Sequence, residues 1–167
     1  MHRVQRSVLV PYSDTQMFDL VRDVACYPQF LPWCPSSQVQ APVEAAPATD
    51  AAADPTADPT AAGEECVQAR VDIAYLGVRS HFTTRNTNRR PSAIELALVD
   101  GPFRSLRGRW TFLALGPAAC KVSLELEYGF AAGLLGRAIA PVFEHVANSL
   151  VDAFAARAQD LYGVVEP

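Results

Sequence analysis

The chain has 167 residues, half of them apolar and 19% charged, with a net charge of −4. That is enough for one domain with a real core, and the composition is that of a soluble globular protein. The acidic balance argues against a protein whose main work is neutralising nucleic-acid phosphates, although a local basic patch remains compatible with it.

Residues 2–11 alternate loosely, with Val4, Val8 and Val10 on one side, and stop at Pro11, which reads as a first strand. The only apolar run here, Val8 to Pro11, is shorter than the ~7–15 residues of a secretory leader core. SDTQMFDLVRDVACYP follows. Ser13 is a candidate N-cap with Gln16 three residues on, and Met17, Leu20, Val21 and Val24 form a helical apolar stripe ended by Pro28. CYPQFLPWCP comes next. Its aromatic and leucine side chains ask for burial, and Pro28, Pro32 and Pro35 exclude a long helix and a central strand. The segment is expected to be an irregular elbow, serving as a core plug or as one wall of an apolar pocket.

Residues 41–62, APVEAAPATDAAADPTADPTAA, have no aromatics and no periodicity. Such a stretch cannot bury enough apolar surface to offset its chain entropy. A disordered Ala/Pro-rich insertion over 41–65 is expected, inside a single domain of residues 1–167.

Strands are expected from there on. CVQARVDIAY (66–75) alternates, Leu76-Gly77 turns, and VRSHFTTRNTNR (78–89) sets Phe82, Thr84 and Asn86 against Thr83, Arg85 and Thr87. AIELALV (93–99) precedes the turn signal Asp100-Gly101. Residues 103–115 carry Trp110 and Phe112 on one face and Leu113 and Leu115 on the other; CKVSLELEYGF (120–130) alternates most cleanly. A sheet with one apolar and one wet face follows. From about Ala132 to Tyr162, Leu135, Ile139, Val142, Phe143, Val146, Leu150, Phe154, Ala158 and Leu161 recur at helical spacing. Pro141 bends this helix or marks where its regular part begins, and Gly163 is a candidate C′ residue. The longest apolar run, FAAGLLGRAIAPVF, is broken by Arg137 and falls short of the ~20 residues of a membrane span. Strands segregated from helices make an α+β architecture, and one helix ~10–12 Å wide does not fill a broad concave sheet.

RSVLVPYSDTQMFDLVRDVACYPQFLPWC, FTTRN at 82–86, LVDGPFRSLRGRW at 98–110 and PVFEHVANSLVDAFAARAQDLYG carry a resemblance over essentially the whole chain except 41–65. The sequence resembles the coenzyme Q-binding START-like family, also named for the ribosome association toxin RatA, in the polyketide cyclase-like SRPBCC superfamily. The resemblance implies a helix-grip fold: a curved antiparallel sheet of about seven strands around a long C-terminal helix, enclosing an apolar cavity. It implies a non-enzymatic protein that binds or chaperones ubiquinone or a related prenyl lipid in support of respiration, with no required cofactor. It also implies an alternative, a toxin that binds a ribosomal subunit and blocks subunit association. A polyketide cyclase-like enzyme ranks third, because the inward faces read here are nearly all apolar.

The candidate ligand-binding residues are Tyr27, Phe30, Leu31, Trp33, Phe82, Trp110, Phe112, Phe143, Val146, Leu150 and Phe154. Each is also an ordinary core residue by type. Arg79, Arg85, Arg104, Arg107 and Arg109 are candidates for a basic surface patch suited to anionic lipid or ribosomal RNA, against the default of scattered solvated arginines. Periodicity sets Arg85 opposite Phe82, on the outer side of the sheet. His145 lies off the apolar stripe and His81 points away from Phe82, both without a Cys or Asp to complete a nucleophile system. Cys26, Cys34, Cys66 and Cys120 contain no C-x-x-C pair and no metal-ligand spacing; they read as plain thiols of a reducing cytoplasm. The expected location is cytoplasmic, with contact to the inner-membrane surface as an alternative.

Overall fold

The computed structural model describes residues 2–40 and 64–163. Strand β1 (His2–Val10) is followed by helix α1 (Asp14–Arg22), a 3-10 helix at Val24–Gln29 and strand β2 (Ser37–Gln40). Then come β3 (Glu64–Tyr75), β4 (Val78–Arg89), β5 (Ala93–Asp100), β6 (Phe103–Gly116), β7 (Ala119–Phe130) and helix α2 (Leu134–Tyr162). The seven strands form one antiparallel sheet in the order β1-β7-β6-β5-β4-β3-β2. Both helices pack on one face, and this is the α+β helix-grip arrangement.

Local chemistry explains the elements. The Ser13 hydroxyl accepts from the Gln16 amide at 3.1 Å and the Gln16 side chain accepts from the Ser13 amide at 2.9 Å, a reciprocal cap on α1. The α1 helix is shorter than the sequence suggests. Asp23, at φ −83° and ψ 70°, breaks it before Val24, and Pro28 sits inside the 3-10 helix rather than ending α1. Leu76 and Gly77 both have positive φ, 50° and 81°, the mirror-image turn that suits the twist of a two-residue hairpin. The β4–β5 register slips between Thr83 and Thr84, which face Asp100 and Leu98, so Val99 drops out of the pairing. Pro141 lies inside α2, and the Gly163 amide caps that helix on the Gln159 carbonyl at 2.9 Å.

Three differences from the sequence reading follow from edges. Strand β2 is four mostly exposed residues at the sheet margin, too short to show alternation. Of the insertion expected over 41–65, residues 41–63 lie outside the described residues, while Glu64 and Glu65 belong to β3 and pair with Arg89 and Asn88. Leu161 is 51% exposed on the last turn of α2, where the sheet no longer covers the helix, and Val151 is a deeply buried position that the stripe did not include.

Candidate functional site

The elbow is fixed from both sides. The Tyr27 hydroxyl donates to the Val21 carbonyl at 2.5 Å, and Ser37 Oγ donates to the Val24 carbonyl at 2.7 Å. The amides of Ala74 and Asp72 donate to the carbonyls of Trp33 and Ser36, so its far end runs on as an extension of the sheet. Leu31, Trp33 and Cys34 are buried, and Tyr27 and Phe30 are partly so. The prolines therefore shape a segment that plugs one end of the space between sheet and α2.

The candidate ligand-binding residues come together in two aromatic groups under α2. At the elbow end, Phe154 touches Tyr27 and Phe30 at 5.2 Å each and Trp110 at 5.3 Å, and Trp110 stacks on Phe112. At the other end, Phe143 meets Phe103 at 4.8 Å, Tyr128 at 4.9 Å and Phe82 at 5.8 Å. Val146 is buried between them along α2, and Leu150 is half-buried. Rings at edge-to-face distance fill much of this space with their own side chains. Phe103 and Tyr128 were not among the candidates, although both fall on the apolar face of their strands.

The expectation that inward faces are nearly all apolar does not hold on β4. The buried polar side chains among the described residues are Thr83, Thr84, Asn86 and Asn88, all on that strand. Thr84 donates to Asn86 Oδ1 at 2.6 Å, and Asn88 Nδ2 donates to Glu65 Oε2 at 2.9 Å. Glu65 also receives Nε and Nη2 of Arg22, and that hydrogen-bonded ion pair holds its carboxyl below the usual carboxylate range. The signal was in the sequence as T-x-N-x-N on one face, but the other face carries Arg85, Thr87 and Arg89. A strand that is polar on both faces does not reveal which one is inside. Arg157 of α2 was missed as well. Its guanidinium lies 5.1 Å above the Phe30 ring and Nη2 donates to Gln29 Oε1 at 2.8 Å, while the buried Nε has no partner.

The outer face is built from cross-strand rows. In register across the sheet stand Arg3, Glu127, Arg107, Ala97, Arg85 and Gln68, and beside them Gln5, Glu125, Arg109, Glu95 and Thr87. A depression of about 550 Å³ lies over these rows. Arg107 reaches Glu127 at 3.3 Å, Arg3 reaches the same carboxylate at 3.7 Å, and Arg109 approaches Glu95 at 3.9 Å. Arg85 makes no ion pair among the described residues. Of the five candidate patch arginines, Arg85, Arg107 and Arg109 line the depression, interleaved with glutamates, and Arg79 and Arg104 are exposed elsewhere. Leu113 and Leu115, at 55% and 54% exposure, extend β6 beyond the charged rows.

The remaining candidates are plain. His145 is exposed and stacks flat on Tyr75 at 4.8 Å; His81, contrary to the expectation that it has no Asp near it, lies 3.4 Å from Asp100 at the sheet surface. The four cysteines are free; burial pushes the Cys34 and Cys120 thiols up to about 11, and both are protonated at neutral pH. Among the described residues no group of three His, Cys, Asp or Glu is arranged to hold a metal, and no helix is long and apolar enough to cross a membrane.

Residues 10–155 match the family described as polyketide cyclase / dehydrase and lipid transport. The chain is 39% identical over 160 residues to the ribosome association toxin RatA of Pseudomonas aeruginosa, covering 96% of this chain and 97% of that protein. It is 37% identical over 162 residues to the persistence and stress-resistance toxin PasT of Escherichia coli, covering 97% and 90%. A START superfamily protein from Mycobacterium smegmatis superposes with a TM-score of 0.69 at 21% identity, over 96% of this chain and 99% of that one, which speaks for the fold. The chain belongs to the polyketide cyclase / dehydrase and lipid transport family, in the branch of its RatA-named relatives.

Proposed function

We propose that this chain is a non-enzymatic, RatA-type protein that docks on a ribosomal subunit and blocks subunit association, using the outer face of its sheet. The observation that carries this reading is identity of 39% extending over nearly the whole of a protein named for ribosome association. The Arg/Glu rows and the unpaired Arg85 offer a rigid, hydrogen-bond-rich surface with an excess of one positive charge around the depression. A mixed surface of this kind gives a shallower salt dependence than a continuous basic patch. Purified protein added to separated subunits is expected to reduce the joined-particle peak in a sedimentation profile. Unchanged profiles at saturating protein would count against the reading.

A second reading rests on the interior. Two aromatic groups under α2, closed by a proline-shaped elbow, suit the tail of a prenyl quinone that enters when the elbow or α2 shifts. Non-enzymatic carriage of ubiquinone or a similar lipid, in contact with a membrane surface where the lipid is exchanged, fits this chemistry. Organic extraction of the purified protein is expected to yield a prenyl quinone; an extract free of prenyl lipid would remove the support for this reading.

A further inference from the structure

Strand β4 concentrates the buried polar side chains of the described residues. Three of them, Thr84, Asn86 and Asn88, stand at alternate positions and face the helices, at 4%, 6% and 2% exposure. Burying a neutral polar group without a partner is costly, so native interiors satisfy such groups or use them.

One atom of this row is buried without a partner, and a second side chain keeps hydrogen-bonding capacity to spare. Asn88 Oδ1 is buried and has no partner. Asn86 has one side-chain hydrogen bond, to the Thr84 hydroxyl. That hydroxyl can donate or accept, so one end of the Asn86 amide has capacity for a further hydrogen bond, while Asn88 Oδ1 is the fully buried unpartnered atom of the row. The surroundings are apolar. In register with Asn88 stand Ile94 and Trp110, and in register with Asn86 stand Leu96 and Gly108. Gly108 brings no side chain, and Leu126 occupies the space where its Cβ would be. Phe82, next to Thr84 on the same face, belongs to the Phe143 group, and Trp110 belongs to the Phe154 group. The polar row thus lies between the two aromatic groups.

We infer that Thr84, Asn86 and Asn88 are a head-group site. They would hydrogen-bond an uncharged, oxygen-bearing ring, carbonyl or hydroxyl, of an otherwise apolar molecule held between the sheet and α2. Amides and a hydroxyl both donate and accept, which suits carbonyl and hydroxyl oxygens. A charged head group is disfavoured. The ionic groups at the end of this row are Glu65 and Arg22, already paired with each other, so neither is free to meet a charged head group there. The inference rests on the interior-ligand reading above and adds which atoms read the ligand.

The test compares a short-tailed benzoquinone with an alkylbenzene carrying the same tail, by calorimetric titration of the full chain and of the Thr84→Val/Asn86→Leu double variant. Removing both partners of the pair leaves no new orphan between them, so the variant is expected to melt at or above the parent temperature. The parent is expected to bind the quinone roughly tenfold or more tightly than the alkylbenzene, and the variant to lose that preference while keeping the alkylbenzene. A variant that keeps the preference, or a parent that binds both probes equally, would overturn the head-group site and leave the interior-ligand reading standing. A parent that binds neither probe would overturn both. Should the variant fail to fold, infrared spectra of the quinone bound to the parent decide the matter: a carbonyl band shifted down by hydrogen bonding supports the site, and an unshifted band overturns it.

Discussion

At the scale of single residues, Glu65 joins three elements. It sits on β3, accepts from Nε and Nη2 of Arg22 in the last turn of α1, and accepts from Asn88 on β4. It therefore ties α1 to the sheet at the end of the polar row. Its ion pair with Arg22 lowers its pKa from the ordinary 4.5. A carboxyl lowered in the folded state contributes stability that is present above about pH 4.5 and is lost as the pH falls through the folded value. Glu65→Gln keeps an acceptor for Asn88 and removes the charge. Because the pair is partly exposed, the expected loss is modest, about 1 kcal/mol at pH 7. Urea denaturation of parent and variant is expected to show this gap at neutral pH and to show it closing in acid. A gap of equal size at every pH would mean that the carboxyl acts through shape rather than charge.

At the scale of elements, the elbow and α2 depend on each other through Phe154. It is fully buried, with Tyr27, Phe30 and Trp110 around it. Phe154→Ala is expected to cost about 3–5 kcal/mol by thermal or urea unfolding, since it leaves a large cavity lined by aromatics. A loss below about 1 kcal/mol would show that the elbow is loose enough to collapse into the gap. These elements were the legible ones. Period-2 alternation in β7 and helical spacing in α2 are written by burial on one side, and the mirror-image turn at Leu76-Gly77 by its glycine. The end of α1 was not legible, because it is set by one backbone conformation at Asp23 with Val24 still buried beyond it. Strand β2 was not legible because it borrows its order from β3. The aromatic candidates can be picked by residue type, which does not separate a ligand wall from ordinary core. The buried polar row was hidden because β4 is covered by helix on one side only, and no sequence pattern says which polar face is covered.

At the scale of the whole molecule, the two proposed surfaces share β4. Arg85 points outward and Asn86 inward from adjacent residues. Whether the proposed docking face and the proposed ligand face influence each other depends on whether that strand has two arrangements, since coupling requires a differential free energy between states. Here β4 is laddered along its length to β3 and over most of it to β5, well inside the sheet, and the elements free to shift are the elbow and α2 on the inner side. The sheet is therefore expected to act as a wall. Saturating the protein with a short-tailed quinone is expected to change the concentration needed to block subunit joining by less than about twofold, a coupling below about 0.5 kcal/mol. Arg85→Glu, which breaks no ion pair among the described residues, is expected to raise that concentration roughly tenfold while leaving quinone affinity unchanged. The two measurements read different faces of one strand. A quinone effect as large as the Arg85→Glu effect would instead require α2 or the elbow to reach the docking surface, and would place the ribosomal contact on the helical side of the molecule.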